Sequence, residues 1–288
     1  MPCNYNTLTN FQCNFYGKID IIDKKAFKYF SLLIAMNPYL KRKIVRKNNA
    51  SFEEMEDFVA VEKKLRVSIN GKEFISLYCT PSMIKELVIG FFLTEGIIKG
   101  EFCAEKINIE YNEDIMVDIP VEGDVVTEGM VITSGCIGGI TFTPKRVSGA
   151  IKDDFSVYSG TLKILFKEFH LKSEIFRLTG GVHSAALSDG REILVFAEDI
   201  GRHNAVDKVI GYSILKKIPF AGKLILVSGR LSSEIVSKCS RWSIPILASR
   251  AAPTDLAIKI AEKTGVTLVG FVRGDRLNVY TNSQRIKR

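Results

Sequence analysis

AEDIGRHNAVDK, residues 197–208, connects a strand-like segment to a helix-like segment, with a dense group of polar residues at the junction. The residues before it, 192–197, are mostly apolar and β-prone, whereas residues 204–215 begin a helical pattern. A strand that passes directly into a helix is typical of an α/β domain when it is repeated along the chain. This stretch therefore suggests the architecture of the second half of the protein.

The pattern continues on both sides of this stretch. Upstream, the dipeptide Asp189-Gly190 predicts a tight hairpin turn between strands at 182–187 and 192–197. Downstream, helix-like and strand-like segments alternate over 204–215, 223–227, 233–242, 244–248, 255–264 and 266–272. We therefore predict a three-layer α/β domain over residues 151–288.

The first half shows a different order of predicted strands and helices, which indicates a small α+β domain over residues 59–150. Strands at 64–69 and 73–78 flank the turn dipeptide Asn70-Gly71 and predict a hairpin. Thr80 is the predicted N-cap of a helix over 83–94, with Pro81 at its first position. Further strands are predicted at 106–111, 115–119 and 125–133, and a helix at 158–172 connects to the second domain.

The composition of the chain indicates the broad class of protein to which it belongs. The chain has 288 residues, of which 46% are hydrophobic and 25% charged, so it is long enough for an ordinary globular core. Its apolar runs, such as 32–36 and 87–93, are much shorter than the roughly 20 residues that span a bilayer. Residues 1–10 lack the pattern of a secretory signal. We expect a cytoplasmic protein with no membrane partner.

The formal charge of +8 is concentrated at the start of the chain. Residues 1–50 hold nine basic and two acidic residues, a balance of +7, so the remainder is nearly neutral. A basic segment can attract an acidic partner or nucleic acid, but a solvated arm is the simpler interpretation. We therefore treat residues 1–58 as a basic leader of unknown role and expect no nucleic-acid partner.

Cys136 lies in the glycine-rich segment TSGCIGG, residues 133–139. Little side-chain bulk surrounds this thiol, so it could meet a large partner and accept sulfur from a donor persulfide. A glycine-rich turn that merely contains a cysteine explains the segment equally simply. The other cysteines are scattered without regular spacing, and free thiols are expected throughout.

The junction at 197–208 is the first candidate binding site. Gly201, Arg202 and His203 fall at a predicted helix N-terminus, where free amides and the positive end of the helix dipole favour an anion or phosphate. His203 and Asp207 are four residues apart, so the carboxylate is expected to orient the imidazole. The alternative is an ordinary surface helix carrying a polar pair.

Arginines follow three further predicted strands, and we expect their turns to meet at one edge of the sheet. Guanidinium groups suit phosphate oxygens, and a carboxylate there could accept the N–H groups of a guanine-like base. The candidate residues are Arg230 in the turn 228–230, Arg250 in the turn 249–250, and Phe271, Val272, Arg273, Gly274, Asp275 and Arg276 in GFVRGDR, residues 270–276.

The segment TGGVHSA, residues 179–185, contains a histidine that could belong to a zinc site. In a zinc deaminase His-x-Glu precedes Cys-x-x-Cys, but Ala185 occupies the Glu position after His183 and the chain has no Cys-x-x-Cys. We therefore expect no zinc, and His183 is interpreted as a packing residue or as a hydrogen-bonding partner of a ligand.

Taken together, these motifs resemble the formate dehydrogenase accessory sulfurtransferase family (FdhD/NarQ). The resemblance runs from about residue 59 to residue 280, and the strings at 199–208 and 270–276 are its most specific parts. It implies a second domain with the cytidine deaminase fold that lacks the zinc site, and it is compatible with a homodimer.

The resemblance also implies a function. Cys136 would take sulfur from a cysteine desulfurase as a persulfide and pass it to the molybdenum cofactor, Mo-bis(molybdopterin guanine dinucleotide), before that cofactor enters formate dehydrogenase. Residues 271–276 would contact the guanine dinucleotide. Many members carry Cys-x-x-Cys in the loop, whereas this chain reads Cys136-Ile137-Gly138-Gly139, which predicts a single-cysteine relay. A cofactor chaperone without sulfur chemistry and a zinc hydrolase or deaminase remain as alternatives.

Overall fold

The computed structural model describes residues 36–49, 51–98, 101–125, 130–132, 140–142 and 150–288. The described residues between 37 and 288 belong to one compact unit. Within the described ranges, no helix combines the length and the apolar character needed to cross a membrane.

Six α-helices occur in the described ranges: α1 Ile84–Thr94, α2 Ser159–Lys172, α3 Glu174–Thr179, α4 Arg202–Leu215, α5 Ser233–Arg241 and α6 Asp255–Thr264. The strands of the first half are β1 Tyr39–Asn48, β2 Ser51–Ala60, β3 Lys63–Ile69, β4 Lys72–Cys79, β5 Glu101–Phe102, β6 Asn108–Tyr111, β7 Ile115–Ile119, β8 Val121–Glu122, β9 Met130–Ile132 and β10 Ile140–Phe142. Those of the second half are β11 Val157–Tyr158, β12 His183–Ser188, β13 Ile193–Asp199, β14 Leu224–Val227, β15 Ile246–Ser249, β16 Thr267–Arg273, β17 Arg276–Val279 and β18 Ile286–Lys287.

The second half is built on a six-stranded mixed sheet in the order β13-β12-β14-β15-β16-β17. β14, β15 and β16 are parallel neighbours, whereas β12 runs antiparallel to both β13 and β14. β13 therefore points in the same direction as the three parallel strands. As a result, the carboxyl ends of β13, β14, β15 and β16 lie at one edge of the sheet.

Helices cover both faces of this sheet. Along β14, Ile225 and Val227 join a core formed with α4, α5 and α6, whereas Leu224 and Leu226 join a core formed with α2. This alternation follows from the two-residue period of a strand that is buried on both faces. A mixed α/β fold is confirmed, with helices on both faces of this sheet, whereas the likeness to a cytidine deaminase stays a prediction.

The first half contains a four-stranded sheet in the order β4-β3-β7-β6, whose buried face packs against α1. The predicted hairpin turn is present at Asn70 and Gly71, both of which have positive φ. The helix prediction was wrong in one respect, since α1 begins at Ile84 with Met83 as its N-cap. Thr80 is not the cap: its backbone and side chain bond to residues of the second half.

α1 and α4 cross in close contact because glycines face the crossing from both helices. A Cβ on Gly90 would collide with the backbone carbonyl of Asp207, and one on Gly211 with that of Glu86. The two halves have separate apolar cores, one from residues 65–121 and the others from residues 151–286, yet this crossing holds them together. The division into domains near residue 150 remains a prediction.

β1 and β2 form an antiparallel hairpin, although residues 1–58 were predicted only to be a basic leader. The basic residues of β1 face the acidic residues of β2, and Arg46 bonds to Asp57 at 2.9 Å. Charges on both strands leave little apolar alternation, which explains why the pattern was missed. Residues 1–35 of the leader lie outside the described part of the chain.

Candidate functional site at the edge of the six-stranded sheet

The candidate site lies where the carboxyl ends of β13, β14, β15 and β16 meet the N-terminus of α4. The sheet order brings the turns after these strands to one edge, together with the first residues of β12 and β17. The predicted positions Arg202, His203, Arg230, Arg250 and the segment 271–276 therefore share this edge.

Gly201 is the N-cap of α4, and Arg202 and His203 occupy its first turn. The first amides of a helix have no carbonyl partner within the helix, and the dipole makes this end positive. Arg202 is buried and lies along Gly229 in the turn after β14. The cradle for an anion at this helix end stays a prediction.

His203 does not pair with Asp207, so that part of the sequence interpretation was wrong. Its Nε2 lies 3.2 Å from Ser232 Oγ and 3.9 Å from a carboxylate oxygen of Glu234. Burial lowers the pKa of His203 to about 4, and the nearby positive charges of Lys238 and Arg202 act in the same direction. The imidazole is therefore neutral at physiological pH and can accept or donate a hydrogen bond.

Asp207 instead belongs to a buried ionic cluster beneath the site. Lys238 on α5 bonds to both Asp207 oxygens at 2.7 Å, to Glu95 at 2.8 Å and to Thr94 at 2.9 Å. Burial raises the pKa of Asp207 to about 6, although the neighbouring ammonium opposes this shift. Because Thr94 and Glu95 end α1, the cluster connects the first half to the helices that carry the site.

His183, at the first position of β12, faces the same edge. Its Nδ1 is 3.4 Å from Ser228 Oγ, and burial together with Arg202 lowers its pKa. A Cβ at position 229 would come within 3.3 Å of both the His183 ring and the Arg202 side chain. Glycine at this position therefore lets the turn after β14 lie against both side chains.

The turns after β14, β15 and β16 are tied to one another. Ser249 Oγ donates to the carbonyl of Gly229 at 2.6 Å, and Arg273 Nε donates to the carbonyl of Arg250 at 2.9 Å. The side chains of Arg230 and Arg250 are exposed. The edge is therefore a continuous surface with cationic groups that can reach a ligand.

Phe271 stands at the centre of the last group of predicted residues. It adopts a positive φ of 53°, which is unusual for an aromatic residue, and its N–H bonds to the carbonyl of Ala251 at 3.2 Å. The guanidinium carbons of Arg273 and Arg276 lie 5.7 and 5.3 Å from its ring centroid. The ring and the two cations form a platform suited to a planar base and its phosphates.

The other residues of the segment 271–276 differ in whether their side chains are buried or exposed. Val272 packs into the core against α2, so its side chain is turned away from the edge. Asp275 is exposed and accepts a hydrogen bond from Lys163 Nζ at 3.0 Å, which lowers the pKa of its carboxyl group. Gly274 adopts a positive φ in the turn between β16 and β17.

Cys136 lies outside the described residues, so its predicted role stays a prediction. In the described ranges, no three His, Cys, Asp or Glu side chains are grouped closely enough to hold a metal ion. The three cysteines of these ranges, Cys79, Cys103 and Cys239, are free thiols. Burial raises the pKa of Cys79 and Cys239, which makes both poor nucleophiles.

Sequence reasoning missed several residues that shape the site. Ser232 and Glu234 contact His203, while Lys238 and Glu95 share the cluster with Asp207. The string LTEGII at 93–98 contains Thr94 and Glu95, but no pattern in the sequence gives these two polar residues a role. Their partners are more than 100 residues away in the chain, so spacing alone could not reveal the contacts.

The fold and the site define a mixed α/β protein with a cationic, histidine-containing edge on its six-stranded sheet. The model of the FdhD/NarQ family matches residues 60–287. The chain is 38% identical over 261 residues to the sulfur carrier protein FdhD of Bacillus pumilus (strain SAFR-032), covering 87% of this chain and 99% of that protein. It is 39% identical over 249 residues to the protein of the same name from Sulfolobus acidocaldarius, and the match covers 85% of this chain and 98% of that protein.

A solved structure described as a formate dehydrogenase accessory protein from Desulfotalea psychrophila has the same fold. Its TM-score is 0.71 at 27% sequence identity, and the match covers 87% of this chain and all of that chain. This chain belongs to the FdhD/NarQ family.

Proposed function

We propose that this protein is a cytoplasmic sulfur carrier that is required for formate dehydrogenase activity and works through Cys136. Its membership of a family whose relatives are named sulfur carrier proteins carries this proposal. The description of the structural relative as a formate dehydrogenase accessory protein supports formate dehydrogenase as the client. A cysteine desulfurase is the proposed donor.

The loading step is a thiol–persulfide exchange. The Cys136 thiolate attacks the outer sulfur of the donor persulfide, a new S–S bond forms at Cys136, and the S–S bond of the donor breaks to release its cysteine as a thiolate. The outer sulfur moves as a neutral atom, so loading needs no oxidant. Delivery as sulfide takes two electrons, which a reduced molybdenum centre in the cargo would supply while Cys136 leaves as a thiolate.

The proposed cargo is Mo-bis(molybdopterin guanine dinucleotide), bound at the edge of the six-stranded sheet. Four strand spacings separate β13 from β16, so the edge extends roughly 19 Å at about 4.8 Å per strand. This length suits an extended dinucleotide better than a compact metabolite. In the proposal Phe271, Arg273 and Arg276 contact a guanine nucleotide, while the first turn of α4 takes phosphate.

Intact-mass analysis tests sulfur loading. After incubation with a cysteine desulfurase and cysteine, the protein should gain about 32 Da per sulfur, lost again on reduction with dithiothreitol, and fragmentation should map the sulfur to Cys136. Cys136→Ala should remove the adduct. Cys103→Ala is the matched control, because Cys103 is a partly exposed free thiol elsewhere and its loss should leave the adduct intact.

An adduct that survives in Cys136→Ala would contradict the proposed carrier role. Cofactor-chaperone function without sulfur chemistry is the second candidate, favoured by the cationic edge around Phe271, which needs no thiol to bind a nucleotide. Activation of formate dehydrogenase separates the two functions. A sulfur carrier loses activation with Cys136→Ala while still binding cofactor, whereas a chaperone tolerates that change.

A further inference from the structure

Four polar residues around the start of α4 bond to one another and to nearby backbone groups. Thr80, Asp199 and Lys208 are completely buried, while Asn204 is partly buried. We call them the Asp199 cluster. Three of them belong to the string at 199–208, whose role in the sequence interpretation was ligand binding.

Asp199 uses both carboxylate oxygens to hold the backbone that leads into α4. Its Oδ1 accepts hydrogen bonds from the Gly201 amide and from Asn204 Nδ2, each at 2.8 Å. Its Oδ2 accepts from the Thr80 amide at 3.1 Å and forms an ion pair with Lys208 Nζ at 2.6 Å. Each oxygen of this buried carboxylate thus has two partners, which lie in the turn before α4, in α4 itself and at Thr80.

Thr80 links this turn to the first half of the protein. Its Oγ1 accepts the Ile200 amide at 3.1 Å, and its carbonyl accepts from Lys208 Nζ at 3.2 Å. Asn204 Nδ2 also donates to the carbonyl of Tyr78 at 2.9 Å. The end of β4 therefore supports the two residues that precede the first turn of α4.

Buried ionic groups of this kind contribute uncertain net stability because desolvation offsets their attraction. They do restrict geometry, since each donor and acceptor has one position that satisfies it. An anion at the first turn of α4 requires amides that point in a defined direction. The cluster supplies that constraint, because Asp199 and Thr80 hold the Gly201 and Ile200 amides directly before the first turn of α4.

We propose that Thr80, Asp199, Asn204 and Lys208 are positioning residues that orient the first turn of α4 toward the phosphates of the ligand. This inference rests on the proposed nucleotide site. It divides the string at 199–208 into residues that face the ligand, Arg202 and His203, and residues that hold those two in place.

The test compares the binding of GDP and of guanosine by isothermal titration calorimetry, since guanosine lacks the phosphates. Thr80→Val keeps the shape of the side chain but removes the acceptor for the Ile200 amide. It should weaken GDP binding about tenfold and change guanosine binding by less than about twofold. Thr80→Ser restores the hydroxyl and should restore GDP binding.

Thr264→Val is the matched control. Thr264 is also completely buried and its hydroxyl also makes a backbone hydrogen bond, but it lies at the end of α6, beside the start of β16 and therefore away from the ligand edge. Equal losses of GDP affinity in Thr80→Val and Thr264→Val would overturn the inference, because they would indicate a general effect of destabilisation. Unchanged GDP binding in Thr80→Val would overturn it as well.

A second variant covers the case in which Thr80→Val does not fold. Asn204→Ala removes two hydrogen bonds from a partly exposed side chain and should give the same selective loss for GDP. If the wild-type protein binds GDP no more tightly than guanosine, both the proposed phosphate site and this inference fail. If it prefers GDP and the variants do too, only the inference fails.

Discussion

At the scale of single residues, His203 and Asp207 show how burial changes the meaning of a sequence pattern. They lie one helical turn apart, the spacing of an interacting pair, yet each bonds to a residue of another element. His203 contacts Ser232 and Glu234, whereas Asp207 contacts Lys238. Two ionisable groups on one helix therefore acquire separate partners and opposite pKa shifts.

His203→Gln should reduce the acid sensitivity of the protein. The folded-state pKa of His203, about 4, lies below its ordinary value of 6.5, so the folded protein favours the neutral ring. This contribution to stability is fully present above pH 6.5 and is lost as the pH falls through 4. As the pH falls between these limits, the free energy of unfolding of the wild type should decrease by at most about 3 kcal/mol more than that of the variant. Urea unfolding at each pH measures this difference.

The exposed His170 supplies the control for this measurement, because His170→Gln removes an imidazole that is not buried. The free energy of unfolding of the wild type and of His203→Gln should be compared with that of His170→Gln over the same pH range. Parallel stability curves for the wild type and His203→Gln would contradict the assignment of a buried neutral imidazole.

At the scale of elements, the crossing of α1 and α4 joins the two halves of the chain. Gly90 and Gly211 let the backbones approach so closely that each glycine faces a carbonyl of the other helix. The same crossing brings Thr94 and Glu95 to Lys238. Because glycine at both positions lets the two helices approach, Thr94 and Glu95 can reach Lys238 in the buried ionic cluster.

Gly90→Ala and Gly211→Ala should each lower the free energy of unfolding by at least about 2 kcal/mol, because the new methyl group forces the helices apart. Chemical denaturation followed by circular dichroism measures this change. Gly160→Ala is the control, since nothing lies within 4 Å of a Cβ at that position of α2. The control should be neutral or stabilising by up to about 1 kcal/mol. Wild-type stability in both crossing variants would exclude the tight contact.

At the scale of the whole molecule, the site exists only because the sheet brings distant turns together. Arg202, Arg230, Arg250 and Arg273 follow or adjoin four strands that are separated along the chain but point in the same direction. Binding sites in open α/β sheets gather at the carboxyl ends of strands for this reason. The edge can therefore present several cations to one polyanionic ligand.

Arg273→Ala and Arg276→Ala should each weaken GDP binding about tenfold, because each removes a cation beside the ring of Phe271. Calorimetric titration provides the measurement. Arg191→Ala is the control, since Arg191 is exposed in the turn between β12 and β13, at the opposite edge of the sheet. A comparable loss of affinity in Arg191→Ala would indicate nonspecific attraction of the nucleotide by the total charge.

Much of the fold follows from local signals. The helix predicted over 158–172 is α2, and the turns at Asn70-Gly71 and Asp189-Gly190 connect the predicted strands. Strand and helix periodicity, turn residues and capping are properties of neighbours along the chain, which explains this success. The hairpin of β1 and β2 escaped prediction because charged residues on both strands obscure the alternation.

Local sequence patterns establish the family, the alternation of strands and helices, and the chemical types of the residues at the sheet edge. The burial and the partners of these residues, by contrast, follow only from the three-dimensional packing of the chain. Asp199 and Lys208 carry the same charges as ligand-binding residues, yet both are buried and bonded to Thr80, about 120 positions earlier. The physical reason is that burial and partnership depend on packing between distant segments, which no local pattern records.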